Sequence, residues 1–285
     1  MIPAFINPAA GNAKEASDAL RAAGAFEIRE VEASKLAAAV RDVVDRGAPR
    51  VMVAGGDGTL GAAAAALAGT GIELAILPCG TLNHLARDLA LPDDLAEAAR
   101  VGAGARTTTV DGATLNDRLF LNTSSVGAYV TFVRARDRIE KRLGYQLASL
   151  VAGARMLVRL PLFRVTLDVD GSTRQYLTPL VFIGVGEREL KLPTLGKRVA
   201  DGRPGLHVMV VRRRSGGRTL ALALAAAARG VEAVAQTPAM DAFLVDRCTI
   251  EPRTSTVALD GELVKAAAPL EYHHLPACLR VVVGE

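Results

Sequence analysis

The N-terminal third of the chain alternates short apolar runs with longer amphipathic ones, and few architectures accept that rhythm. "IPAFIN", "FEIREVE", "RVMVAG" and "LAIL" read as strands; "AKEASDALRAAG", "SKLAAAVRDVVDRG", "TLGAAAAALAG" and "TLNHLARDLAL" read as helices. Gly24 closes the first helix, Ser34 serves as N-cap of the second with Gly47 past its end, and Pro92 halts the fourth. Strands separated by helices of this length must run parallel, because each helix carries the chain back across a sheet face. The expected fold class is therefore α/β, with an open, doubly wound, mostly parallel N-terminal sheet that binds ligands at the carboxyl ends of its strands.

From about Arg106 the pattern changes. "RTTTVDGATLNDRLFLNTS", "FRVTLDVDGSTRQYLTPLVFIGV", "GLHVMVV", "AFLVDRCTIEP", "STVALDGELV" and "ACLRVVV" read as strands joined by glycine or asparagine turns. Two helical stretches, roughly 132–160 and 219–236, interrupt them. The second half is expected to be a β-rich sandwich or barrel. The pattern shifts near residues 103–112 without a flexible linker, which sets the expected domains at 1–108 and 109–285, the last strand being free to return to the first.

Composition narrows the class further. Of 285 residues, 50% are hydrophobic, enough for a sizeable core, and the net charge of +4 is too small to indicate a nucleic-acid partner. Cys79, Cys248 and Cys278 lie far apart with no metal-binding spacing, as expected of reduced thiols. "MIPAFINPAAG" reaches proline and a turn before any run of signal length. The most apolar stretch, "LALALAAAA", ends at Arg229, well short of the roughly 20 residues a bilayer crossing needs. A cytoplasmic protein is expected, with any membrane contact peripheral.

The chemistry concentrates in turns. "GGDGT" (Gly55 to Thr59) sits between a strand and a helix, where glycines let the backbone approach a ligand and free N–H groups attract phosphate oxygens. Asp57 would repel phosphate unless Mg²⁺ mediates; standing alone, it reads more readily as a cap of the following helix. "NPAAGN" (Asn7 to Asn12) and "PCGTLNHLARDL" (Pro78 to Leu89) leave neighbouring strands in the same manner. Three such turns on one sheet edge make a phosphate cradle. Gly56, Gly58 and Gly61 match the dinucleotide fingerprint only formally, since they follow the third strand and not the first, and no Walker A sequence is present.

Taken together, "NPAAG", "GGDGT", "PCGTLNHLARDL" and the late "LDGE" (Leu259 to Glu262) resemble the diacylglycerol kinase catalytic domain family, in particular its soluble bacterial lipid kinases, which are related to sphingosine and ceramide kinases. The resemblance implies an ATP- and Mg²⁺-dependent kinase of lipid hydroxyls, its active site in a cleft between an α/β domain and a β-rich domain. It implies that Asn7, Gly11 and Lys14 approach the nucleotide, with Gly55, Gly56, Asp57, Gly58 and Thr59 as the phosphate and magnesium loop and Gly80, Thr81 and Asn83 as the third turn. Asp111 falls at an acidic position of the family, and Asp201 at a structural magnesium site. Asp260 matches the general base, with Glu262 beside it, although "LDGELV" by itself reads as a hairpin turn. The chain departs from the family at His84, where an aspartate is usual, at Ala128-Tyr129, and in "GERELKLPTLGKRVADGRPG".

The expected partners are ATP and a lipid at a membrane surface. Arg134, Arg138, Lys141 and Arg142 share one helical face with Asp137 and Glu140 interleaved, and Arg212 to Arg214 form a second basic group. Such stripes serve either as solvated faces or as docking surfaces for anionic headgroups. "YQLASLVAGARMLVRLPLF" reads as core or as an acyl-chain lining, and the adjacent His273 and His274 cannot face one metal from a single strand. Two other readings stay open: an NAD kinase-like enzyme, which shares "GGDGT", and a non-catalytic lipid or nucleotide sensor. A dehydrogenase is a distant fourth.

Overall fold

The computed structural model describes residues 1–81, 83–127, 130, 162–169, 171–189, 197–199, 201–212, 240–252 and 256–284. They fall into two units: Met1–Gly112 with Arg118–Asn122 and Leu275–Glu285, and Ala113–Asp117 with Thr123–His274.

In the first unit the alternation read from the sequence becomes β1 (Ile2–Ile6), α1 (Ala13–Ala23), β2 (Phe26–Glu30), α2 (Ala33–Asp45), β3 (Arg50–Gly55), α3 (Asp57–Leu67) and β4 (Glu73–Pro78), followed by α4 (His84–Asp88) and α5 (Leu95–Ala103). The strands are parallel in the order β2-β1-β3-β4. The final strand, β16 (Leu270–Val282), adds its second half parallel to β4, with Arg280 opposite Glu73. Glu73 accepts hydrogen bonds from Arg50 on one side and Arg280 on the other, at 2.6 and 3.1 Å, joining three strands through one carboxylate.

Strand residues alternate between two cores, as period two requires. Phe5, Val51, Val53, Leu74 and Ile76 pack under α2 and α3. Ala4, Ile6, Met52, Ala54, Ala75 and Leu77 pack under α1 and α5. Helices therefore cover both faces, the doubly wound arrangement expected.

The second unit is antiparallel. Its six-stranded sheet runs β12 (Met240–Val245), β11 (Leu206–Val211), β10 (Leu180–Val185), β7 (Thr123–Gly127), β14 (Thr256–Leu259), β15 (Glu262–Lys265). A second sheet joins the first half of β16 to β13 (Arg247–Pro252), β8 (Phe163–Val169) and β9 (Ser172–Thr178). The sheets meet face to face. Tyr272 of one is fully buried with its hydroxyl 2.9 Å from Ser124 Oγ of the other, and Arg174 lies 4.7 Å from the Phe243 ring centroid. Strands β5 (Thr107–Leu115) and β6 (Arg118–Phe120) pair with each other around Asn116-Asp117.

Local readings of the sequence need correction in four places. The fourth helix shrinks to the five residues of α4, because Asn83 before it adopts a left-handed φ of 48° that cannot continue a helix backwards. Ser34 lies inside α2, whose N-cap is Glu32. Helix α5 was not anticipated, although Asp94 caps it by accepting from Glu97 N at 2.8 Å, a spacing the sequence carries. "AFLVDRCTIEP" is two strands, β12 and β13, placed in different sheets. The helical stretches expected over 132–160 and 219–236, most of the apolar run from Tyr145 to Phe163, and the basic residues Arg134, Arg138, Lys141, Arg142, Arg213 and Arg214 lie outside the described residues. Arg212 is ion-paired with Asp241. No helix among the described residues is long and apolar enough to cross a membrane.

Candidate active site

Strand order fixes where a ligand can enter the first unit. The chain moves from β1 outward to β2, then crosses back to β3 and on to β4, so the connections leaving β1 and β3 diverge. A crevice opens at such a switch point, and it is where ligands of open α/β sheets bind. The turn after β1 holds Asn7, whose Oδ1 accepts from Ala9 N at 3.1 Å, and exposed Gly11; Lys14 is exposed in the first turn of α1.

The turns after β3 and β4 are built as one piece. Cys79 N bonds to Gly55 O at 3.0 Å, so the two strands leave the sheet side by side. Beyond them the backbones touch: a Cβ on Gly80 would lie 2.5 Å from Gly56 Cα, and one on Gly56 would lie 3.1 Å from Gly80 Cα. Gly55 is closed in the same way by the Thr59 side chain. Asn83, 6% exposed, holds the second turn from within. Its Oδ1 accepts from Gly80 N at 2.8 Å and its Nδ2 donates to Gly80 O at 2.9 Å. Asparagine suits this place because it tolerates positive φ and offers both a donor and an acceptor.

Asp57 completes the assembly. It is the first residue of α3, whose N-cap is Gly56 without a side-chain cap bond, so the helix-capping reading of Asp57 does not hold. Its Oδ1 instead accepts from the backbone N of His84 at 2.7 Å, and its Oδ2 has no hydrogen bond to a described residue. Gly58 and Thr81 are exposed beside it. The arrangement offers α3 N–H groups, side-chain-free backbone and one open carboxylate oxygen, which fits a nucleotide phosphate accompanied by Mg²⁺. Magnesium needs only one or two carboxylates when phosphates supply the rest of its ligands.

The remaining acidic candidates lie on other elements. Asp111, on β5, accepts from Ala277 N at 2.8 Å, where β16 bulges with a φ of 47°. Asp201 is exposed in the turn ahead of β11. Among the described residues no group of three His, Cys, Asp or Glu is placed to hold a metal ion, so the three aspartates are considered singly.

In the second unit Asp260 and Gly261 form the turn of the β14–β15 hairpin, with φ of 45° and 87°, so the hairpin read from "LDGELV" is present. Asp260 is also tied sideways. Its N donates to Thr123 O and its Oδ1 accepts from Thr123 N, both at 2.8 Å. A half-buried carboxylate fixed in this way has little freedom to swing. Glu262, the next strand residue, is exposed.

Sequence reasoning found the loops but missed their fastenings. Neither the Asn83–Gly80 pair nor the Asp57–His84 link leaves a signal beyond an asparagine after a glycine turn. It also missed His207, which is 6% exposed and accepts from Arg188 N through Nδ1 at 2.8 Å; burial holds its pKa down, keeping it the neutral acceptor.

Burial, and secondarily the charge of Glu15, pushes the Cys79 thiol up to about 11. Because only the thiolate reacts, alkylation of Cys79 at pH 8 is expected to run roughly a hundredfold slower than that of an ordinary thiol. Mass spectrometry of the iodoacetamide-treated native protein checks this; labelling at the rate of free cysteine would contradict the burial.

Residues 2–115 match the diacylglycerol kinase catalytic domain. Over 153 residues the chain is 31% identical to a Cronobacter sakazakii protein named "Probable lipid kinase YegS-like", covering 52% of this chain and 50% of that one. It is 26% identical over 184 residues to a Staphylococcus aureus diacylglycerol kinase, covering 63% and 58%. The chain thus spans little more than half the length of these relatives. Two solved Bacillus anthracis structures share the fold. One has a TM-score of 0.78 at 22% identity, with 99% of this chain and 97% of that chain covered. The other, a diacylglycerol kinase, has 0.70 at 20%, with 99% and 96% covered. The match spans residues 2–115, which carry all three glycine turns and Asp57, and over that stretch the chain is similar to the diacylglycerol kinase catalytic domain.

Proposed function

We propose that this protein is an ATP- and Mg²⁺-dependent lipid kinase that transfers the γ-phosphoryl group to the hydroxyl of a diacylglycerol-like or sphingoid lipid. The observation that carries the reading is the fused pair of turns at the switch point, where Gly56 and Gly80 touch and Asp57 keeps one carboxylate oxygen open. In this reading residues 1–108 bind nucleotide and residues 109–285 bind the lipid.

Phosphoryl transfer passes through a loose transition state, so the protein's work is positioning and charge stabilisation. Asn7, Gly11 and Lys14, Gly55 to Thr59, and Gly80, Thr81 and Asn83 hold the triphosphate, the glycines by exposing backbone N–H groups and Lys14 by its charge. Asp57 would hold Mg²⁺, with Asp111 and Asp201 as further candidates for metal contact, and the ion would supply neutralisation of phosphate oxygens. Asp260 orients the acceptor hydroxyl and takes its proton as the bond to phosphorus forms, and Glu262 adds negative potential beside it. Docking on a membrane surface through basic residues brings the enzyme to its substrate.

The test is a transfer assay. Purified protein with γ-labelled ATP and Mg²⁺ is offered dioleoylglycerol or sphingosine in mixed micelles and, separately, NAD. Label is expected in the lipid phase. Label in NAD, or in neither, overturns the reading.

A further inference from the structure

Strand β7 carries a hydroxyl for which the fold has no use. Ser124 points toward the second sheet, where it meets Tyr272 at 2.9 Å. Successive strand residues face opposite ways, so Thr123 and Ser125 lie on the other face of the six-stranded sheet. There Ser125 stands in register with Ala258 of β14 and Phe182 of β10. Asp260, two residues beyond Ala258, is bonded to Thr123 through both its N and its Oδ1. Thr123 and Ser125 therefore share one face of β7, roughly 7 Å apart along the strand, and the turn residue Asp260 is bonded at the Thr123 end.

The surroundings of Ser125 are apolar: Ala258 is 2% exposed and packs with Val130 and Leu263. Ser125 is itself 2% exposed, and its Oγ is buried with no hydrogen-bond partner among the described residues. A buried hydroxyl without a partner is a net cost, and alanine, which the neighbouring strand uses at the paired position, would occupy the same space without it.

The geometry points to Ser125 as a specificity-determining residue for the acceptor, its hydroxyl reserved for a second polar group near the alcohol that Asp260 serves. This rests on the lipid-kinase reading. The ligand class is a lipid alcohol bearing another oxygen or nitrogen within a few bonds of the reacting hydroxyl, which an acylglycerol supplies as an ester carbonyl and a sphingoid base as an amine. The group reaches Ser125 by displacing the side chains packed over Ala258.

Equilibrium binding and thermal melting of the full chain test the assignment with three probes: dioctanoylglycerol, sphingosine and 1-octanol, which has no second polar group. Ser125→Ala is expected to melt no lower than wild type, to bind dioctanoylglycerol or sphingosine about fivefold more weakly, and to bind 1-octanol and ATP unchanged. Ser125→Cys, nearly equal in size and a poor donor, is expected to behave like the alanine variant, which separates the hydroxyl from packing. Whichever of the two lipids responds identifies the source of the polar group. Equal weakening for 1-octanol, a response from neither lipid, or no lipid binding by wild type overturns the assignment. Wild type that binds the lipids and shows the Ser125 effect without transferring phosphate would defeat the kinase reading and leave the assignment standing.

Discussion

If the protein is the lipid kinase proposed, Asp260→Asn is expected to lower kcat for lipid phosphorylation by roughly 10² to 10⁴ while leaving the protein as stable as wild type within about 0.5 kcal/mol. The two halves of that expectation have separate causes. Asparagine keeps an Oδ1 that can accept from Thr123 N, where the Asp260 oxygen now sits at 2.8 Å. It also tolerates the φ of 45° at this position, and Asn-Gly is the favoured pair for such a hairpin turn. What it cannot do is take a proton. Asp260→Ala tests something different, since it removes the side-chain acceptor of Thr123 N and places a Cβ-bearing residue without a compensating side chain in the left-handed region; it is expected to cost about 1–2 kcal/mol as well as activity. Steady-state kinetics with dioleoylglycerol and a urea melt of each variant decide the matter. Wild-type kcat in the asparagine variant would remove Asp260 from the chemistry.

The contrast between these variants shows why the site was only partly legible in the sequence. Strand–helix alternation is local, written in runs of Val, Ile and Ala, and it carried the parallel sheet, the three turns and their shared edge. The hairpin at Asp260 was legible for the same reason, since Asp-Gly between apolar pairs demands positive φ at both positions. What could not be read is what those residues touch across long stretches of chain. Asp260 meets Thr123 from 137 residues away, and Asp57 meets His84 from 27. The pairing of β16 with β4 likewise rests on Glu73 and Arg280, 207 residues apart. The short α4 is a middle case: its pattern was helical, but local hydrogen bonds between the Asn83 side chain and the Gly80 backbone, three residues back, outweighed propensity over the first turn.

Gly80→Ala and Gly61→Ala should move stability in opposite directions, although the chemical change is the same. Gly61 lies within α3 with nothing within 4 Å of an added Cβ, so alanine there removes backbone freedom from the unfolded chain at no steric cost and should stabilise by about 0.5–1 kcal/mol. At Gly80 the new Cβ would stand 2.5 Å from Gly56 Cα and 2.7 Å from Asn83 Oδ1. The first neighbour is backbone and cannot rotate away; the second is the atom that accepts from Gly80 N. The turn must therefore separate from Gly56 and lose the paired bonds to Asn83, a combination expected to cost about 2–4 kcal/mol. Because Asp57 is joined to this same turn through His84 N, its carboxylate loses its anchor too, and ATP affinity should fall at least tenfold, by the order of one charged hydrogen bond. Denaturant melts and equilibrium ATP binding of both variants test this together. A Gly80→Ala protein that melts and binds ATP like wild type would mean the two turns need not touch, and the phosphate site would then have to be sought away from their junction.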